Sequence, residues 1–269
     1  DCDGLREYKD RSREEGTMGY THRDRKETDV TMATAEQDGA AGDVAGTVKD
    51  YLPDGYLPDS ATFTVLGVMA AVFILEYTVS GFFEAFALYP GGQVVQEPWR
   101  LVTSMFMHAG LAHLMVNGLV LFSFGPHLED ILGTKRFLAV LFGAGLASSA
   151  GFAISGLLFG IGPAVGISGG LYGLITFLAI IRPEVTVLAF FFIPLKIRHA
   201  VTFFGAMDTV NLVAHAMGIT LPLIGGFASA GHLSGLLAGL AFGYLWRDEY
   251  RRPTGDVLWQ LGATRNRPF

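Results

Sequence analysis

From Ala61 onward the apolar residues come in long, nearly unbroken blocks, with little polar face between them. Helices apolar all round belong in lipid or in a large core, not half in water. The blocks predict six segments, at about 61–80, 108–128, 137–159, 167–182, 197–216 and 229–246. The fourth is short and stops at Arg182-Pro183. The next stretch, VTVLAFFFIP at 185–194, is too short to span and is broken by Pro194. It predicts an interfacial piece or the start of a longer fifth segment. A loop over roughly 82–107 carries Trp99 and Phe106, residue types suited to a membrane interface. Residues 1–58 show no sustained apolar period and predict a disordered tail, with YLPDGYLPD at 51–59 as a turn-rich lead-in. The expected fold class is an all-α polytopic membrane protein, a six-transmembrane-helix bundle. Its expected parts are an acidic cytoplasmic tail (1–58), a membrane domain (59–250) and a short C-terminal tail (251–269).

Composition adjusts this picture in few places. The chain is 51% hydrophobic, a share that understates the second part because the tail is so polar. Fourteen acidic against eight basic residues before Asp59 account for the whole net charge of −6. No basic surface remains to argue for nucleic acid. The one cysteine, Cys2, can form neither an intrachain disulfide nor a cysteine-based metal site. The first apolar run comes too late and is too long for a cleavable signal peptide. Arginine's excess over lysine, with the acidic tail, fits a salt-adapted source. Lys135, Arg136, Arg182, Lys196, Arg198, Arg247, Arg251 and Arg252 fall on one side of the expected topology and Arg100 on the other. The positive-inside bias therefore predicts cytoplasmic termini. It also puts the 82–107 loop, the GIGPAVG loop and the loop before His232 outside.

That topology brings two reactive residues to one depth. Ser168, in GISGGLYG, is near the outer end of the fourth segment; His232, in GHLSGLLAGLAFG, is near the outer end of the sixth. Reactive side chains in membrane segments are costly and so are candidates for function. A serine needs a base before it attacks, and neutral histidine is the usual one near pH 7. An acyl-transfer site also needs oxyanion donors. Ser168 lies at a predicted helix start, where backbone N–H groups are free, and Gly166 and Gly169 permit close approach. His113 and Asn117, four apart on one face of the second segment, can supply side-chain donors, with His108 at the segment's mouth. The alternative for this pair is interhelical hydrogen bonding alone. Gly231, Gly235, Gly239 and Gly243 leave one face of the sixth segment bare, and Gly169, Gly170 and Gly173 thin the fourth, so the two can pack closely. Tyr172, one turn after Ser168, is either a stacking partner for His232 or an ordinary packed aromatic. His108 and His113 are five apart with no carboxylate beside them, poor spacing for a metal. A solute transporter using Asp208 and the histidines as a proton relay is a further alternative, but no internal repeat supports it.

The strings WR (99–100), HAGLAHLMVNG (108–118), PHLEDILGTKRF (126–137), GISGGLYG (166–173) and GHLSGLLAGLAFG (231–243) together resemble the rhomboid intramembrane serine proteases. The resemblance covers roughly 61–246. It implies Ser168 as nucleophile and His232 as general base, a dyad with no aspartate third member. It implies an oxyanion hole from His113, Asn117 and the Ser168 amide, Tyr172 packed on His232, and structural roles for Arg100 and Glu129. The implied partners are lipid and transmembrane-helix substrates cut near their outer end, with no metal or cofactor. A rhomboid-like binder of client helices without catalysis is the runner-up. The acidic tail has no counterpart among the strings that carry the resemblance, and the residues after Tyr250 are too few and too polar to predict the seventh segment of some family members.

Overall fold

A computed structural model describes residues 60–91, 93–159, 162–189, 192–219, 221 and 228–250. The expected tails, 1–58 and 251–269, lie outside the described residues, as does most of the loop before His232. In chain order the elements are α1 (Ala61–Thr78), α2 (Phe82–Phe86), α3 (Gln93–Gln96) and α4 (Arg100–Thr103), which runs into a 3₁₀ turn at Ser104–Phe106. Then come α5 (Leu111–Leu132), α6 (Thr134–Phe159), α7 (Ser168–Ile181), the strands β1 (Thr186–Ala189) and β2 (Ile193–Lys196), α8 (Ile197–Ala216) and α9 (Ser229–Tyr250).

This is a largely helical membrane protein. Among the described residues α1, α5 and α6 are both long and apolar enough to cross a bilayer. The other three long helices fall short of that criterion for different reasons. α7 is apolar but has 14 residues, whereas α8 and α9 have 20 and 22 but carry polar and charged side chains. The 185–194 stretch is not the start of the fifth helix, which begins at Ile197. It forms an antiparallel hairpin pairing Thr186 with Lys196 and Leu188 with Pro194. Val185 and Val187 pack on the core while Thr186 and Leu188 stay exposed, the period-two alternation of a strand. The exposed Leu188 hid that alternation in the sequence. The second segment starts at Leu111 rather than His108: the backbone at Gly110 is extended, and the His108 N–H donates to the Glu76 carboxylate. The third starts at Thr134, after a one-residue link at Gly133.

The core gathers around α7, whose side chains are buried on nearly all sides. Leu171, Leu174, Phe177 and Ile181 meet Leu121 and Leu128 of α5 and Phe137, Val140 and Leu141 of α6. This explains why so short a helix is apolar all round. Glycines set how close its neighbours come. A Cβ on Gly235 would lie 2.2 Å from the Gly169 carbonyl oxygen, and one on Gly239 would lie 2.3 Å from that of Gly173. The α7 and α9 backbones therefore touch, as the expected bare faces require.

The end of the bundle away from Ser168 is clamped by polar side chains. Glu129 accepts bonds from the Ala61 and Thr62 N–H groups and from the Thr62 and Thr134 hydroxyls. One carboxylate thus caps the free N–H groups of α1 and ties α1, α5 and α6 together. Arg136 reaches Glu249 and the Tyr250 hydroxyl, and Arg182 reaches the Tyr250 carbonyl. Lys196 and Arg198 both pair with Glu184, whose exposed carboxyl they hold below the usual range, Lys196 foremost.

Candidate active site

Three helices begin at the opposite end, and their first turns converge. Ser168 is the first residue of α7, and His232 lies in the first turn of α9. The Ser168 Oγ is 2.9 Å from His232 Nε2, a hydrogen bond between groups 64 positions apart. The Tyr172 ring stacks on the His232 ring, with centroids 4.5 Å apart and planes within 9°. Of the two readings of Tyr172, the structure has the stacking one.

His113 and Asn117 lie in the first two turns of α5. Their donor atoms face the space beside Gly166, two residues before Ser168. A Cβ on Gly166 would sit 2.7 Å from His113 Cε1, 2.9 Å from His113 Nε2 and 3.3 Å from Asn117 Nδ2. Gly166 has φ +113°, which only glycine adopts without strain. Asn117 is buried, and its Nδ2 has no hydrogen-bond partner among the described residues. A buried, unpaired donor costs about 1–3 kcal/mol, so one beside a nucleophile calls for a functional reason. The first N–H groups of α7 add donors on the same side, since no residue of their own helix can pair with them.

Among the described residues none of the remaining expected residues bonds to Ser168 or His232, and His108 Nε2 is, like Asn117 Nδ2, buried without a hydrogen-bond partner. Arg100 is buried and donates to the Glu84 and Ala87 carbonyls and to Glu97, whose carboxyl it holds below the usual range. It thus pins the loop after α1. The Gly166 N–H donates to the Ser104 carbonyl at 2.8 Å, and Leu88 and Ala164 exchange backbone bonds, so this pinned loop holds the chain leading into Ser168. His108 is buried 5.1 Å from the His113 ring, centroid to centroid, and contacts neither Ser168 nor His232 in any recorded bond. Glu129 stands at the far end of α5 from His113.

One group was not expected in this cluster. Asp208 of α8, named in the sequence only for the proton relay of the transporter alternative, lies with Oδ1 3.3 Å from His232 Nδ1. The other oxygen of that carboxylate, Oδ2, is buried with no hydrogen-bond partner among the described residues, and the Tyr172 and Ser229 hydroxyls lie near the carboxylate. Asn211, one turn further along α8, donates from Nδ2 to the Ser229 Oγ at 2.8 Å.

A helical membrane protein whose serine and histidine meet at helix starts belongs to a narrow class. Comparison with known proteins narrows it further. The Rhomboid domain family matches residues 95–249, which include every residue of this cluster, and the chain belongs to that family. It is 35% identical over 144 residues to the "Putative rhomboid protease YdcA" of Bacillus subtilis, an overlap of 49% of this chain and 65% of that one. It is 39% identical over 77 residues to the rhomboid protease GluP of the same organism, covering 29% of this chain and 14% of that one. It is 28% identical over 193 residues to the mitochondrial rhomboid protein 1 of Saccharomyces cerevisiae, covering 70% and 53%. The chain thus spans less than two thirds of the length of each of these relatives.

Proposed function

We propose that the protein is an intramembrane serine endopeptidase in which Ser168 is the nucleophile, His232 the general base, and His113, Asn117 and the α7 amides the oxyanion hole. The observation that carries this reading is the 2.9 Å Ser168–His232 bond beside a glycine-lined space faced by two side-chain donors. A transmembrane segment of another membrane protein enters sideways from lipid, past α8, and unwinds locally, because helical backbone is hydrogen-bonded and shielded. The Ser168 oxygen bonds to the scissile carbonyl carbon as its proton passes to His232 Nε2. The carbonyl oxygen gains the negative charge and is held by the donors beside Gly166. The C–N bond then breaks as His232 returns the proton to the leaving nitrogen. Water, deprotonated by His232, releases the acyl group and restores Ser168.

All six long helices span the bilayer in this reading, and 59–250 is the protease domain. The termini are cytoplasmic and the active site opens to the outside. The 14 residues of α7 give roughly 21 Å of helix, against about 30 Å of hydrocarbon. With the Arg182 end at the cytoplasmic surface, Ser168 is sunk below the outer one. A recessed site can receive a helix from the side and water from above.

The test is incubation of the purified protein in detergent with a model transmembrane substrate. The wild type cleaves it; Ser168→Ala and His232→Ala fall to background. Cleavage that survives Ser168→Ala defeats the proposal. A folded wild type that binds client helices without cutting them supports the non-catalytic binder instead.

A further inference from the structure

Asp208 has a cost that the mechanism so far leaves unexplained. It is 4% exposed, on a helix otherwise packed in membrane, where an acid is expensive to hold. Among the described residues the only basic side chain paired with it is the His232 imidazole. Its Oδ1 lies 3.3 Å from His232 Nδ1, while its buried Oδ2 has no hydrogen-bond partner among the described residues; the Tyr172 and Ser229 hydroxyls lie near the carboxylate. Ser229 is itself oriented, since it accepts the bond from Asn211 Nδ2 and so has its proton left to give.

We propose that Asp208 is a positioning residue for the reaction, converting the Ser168–His232 pair into a Ser168–His232–Asp208 triad. The inference rests on the proteolytic reading of the site and departs from the two-residue arrangement that the family resemblance implies. The argument is one of tautomers. His232 can take the serine proton only if Nε2 is bare, so its own proton must sit on Nδ1. An ionised carboxylate accepts only, and one beside Nδ1 selects that tautomer. It also offsets the positive charge that the ring gains when Ser168 is deprotonated. Tyr172 supports the arrangement through its face, stacked on the His232 ring. The 3.3 Å separation is long for such a bond, as is common before substrate is bound.

Two measurements on the full-length protein in detergent test this. In the first, Asp208→Asn keeps the size of the side chain but can turn its amide N–H toward Nδ1 and favour the wrong tautomer. Its kcat falls by up to about 10⁴-fold, with KM and Tm near wild type, because aspartate's contribution lies in the transition state. Asp208→Glu, which restores the charge, recovers most of the lost kcat. A kcat for Asp208→Asn within about threefold of wild type overturns the proposal, as does a loss confined to KM or no gain from Asp208→Glu. In the second, protein labelled with 15N-histidine is compared with His232→Asn by NMR. The resonances that disappear report the His232 tautomer. A proton on Nδ1, lost in Asp208→Asn, supports the proposal; a proton on Nε2 in wild type overturns it. The spectrum decides even if Asp208→Asn fails to fold. It also separates the two readings: a wild type that cleaves nothing defeats proteolysis, and only the spectrum and the kcat of Asp208→Asn bear on Asp208.

Discussion

At the Glu129 end of the bundle, a buried carboxylate spends its oxygens on four donors from α1 and α6. At the Ser168 end, a buried amide nitrogen, Asn117 Nδ2, faces a space that only a glycine leaves open. Both ends carry polar side chains in a membrane bundle, and the arithmetic of their hydrogen bonds is opposite. A saturated group stabilises the fold. An unsaturated one costs stability and is available to something that arrives later. The comparison assigns roles that burial alone does not, since Glu129 and Asn117 are both nearly inaccessible.

Substitutions should therefore divide by end: kcat without Tm at one, Tm without kcat at the other. The largest departure from wild type is expected for Gly166→Ala. Its methyl group would enter the space faced by His113 and Asn117 and put strain on a backbone at φ +113°. With both donors blocked, kcat should fall about 1000-fold or more in the detergent cleavage assay, since each donor alone is worth about 10²–10³. Next is Asn117→Ala, which should lower kcat about 100- to 1000-fold. Its Tm should not fall, because the group removed has no partner to lose. A drop in Tm with unchanged kcat would move Asn117 into the structural class and erase the contrast.

At the other end, Glu129→Gln turns an amide N–H toward donors and should cost about 1–3 kcal/mol, read as a lower Tm. Its kcat per folded molecule should stay within twofold of wild type. The smallest effect is expected for Glu184→Gln. Lys196 and Arg198 lower the Glu184 pKa in the fold, so the pairing stabilises above the unfolded pKa, near ~4.3, and is lost as pH falls through the folded one. The variant's Tm should be slightly below wild type at pH 7 and should converge with it in acid. A difference that persists in acid would mean that Glu184 acts through packing rather than charge.

Much of this was legible in the primary structure. The apolar blocks located the long helices to within a few residues, because a membrane segment has little other composition open to it. Ser168 and His232 stood out because a reactive side chain is rare in such blocks. The glycines at every fourth position of α9 announced its contact with α7, because a bare helix face has few other uses. The hairpin over 186–196 was missed because its outward face carries leucine and phenylalanine as well as polar residues, which masked the strand period.

Asp208 marks where local reading stops. As a lone acid in an apolar segment it was conspicuous, yet nothing within α8 says which way the helix is rotated. A turn of about 100° per residue about its axis would have aimed Asp208 at lipid, water or a different helix. Sequence alone thus determined which residues are expensive to bury and which helix faces are free to touch, because both follow from the chemistry of single side chains and their spacing. Tertiary packing decided which of those residues meet. It joined groups 64 and 24 positions apart into Ser168–His232–Asp208 contacts, through the relative rotation and depth of three helices that no local pattern encodes.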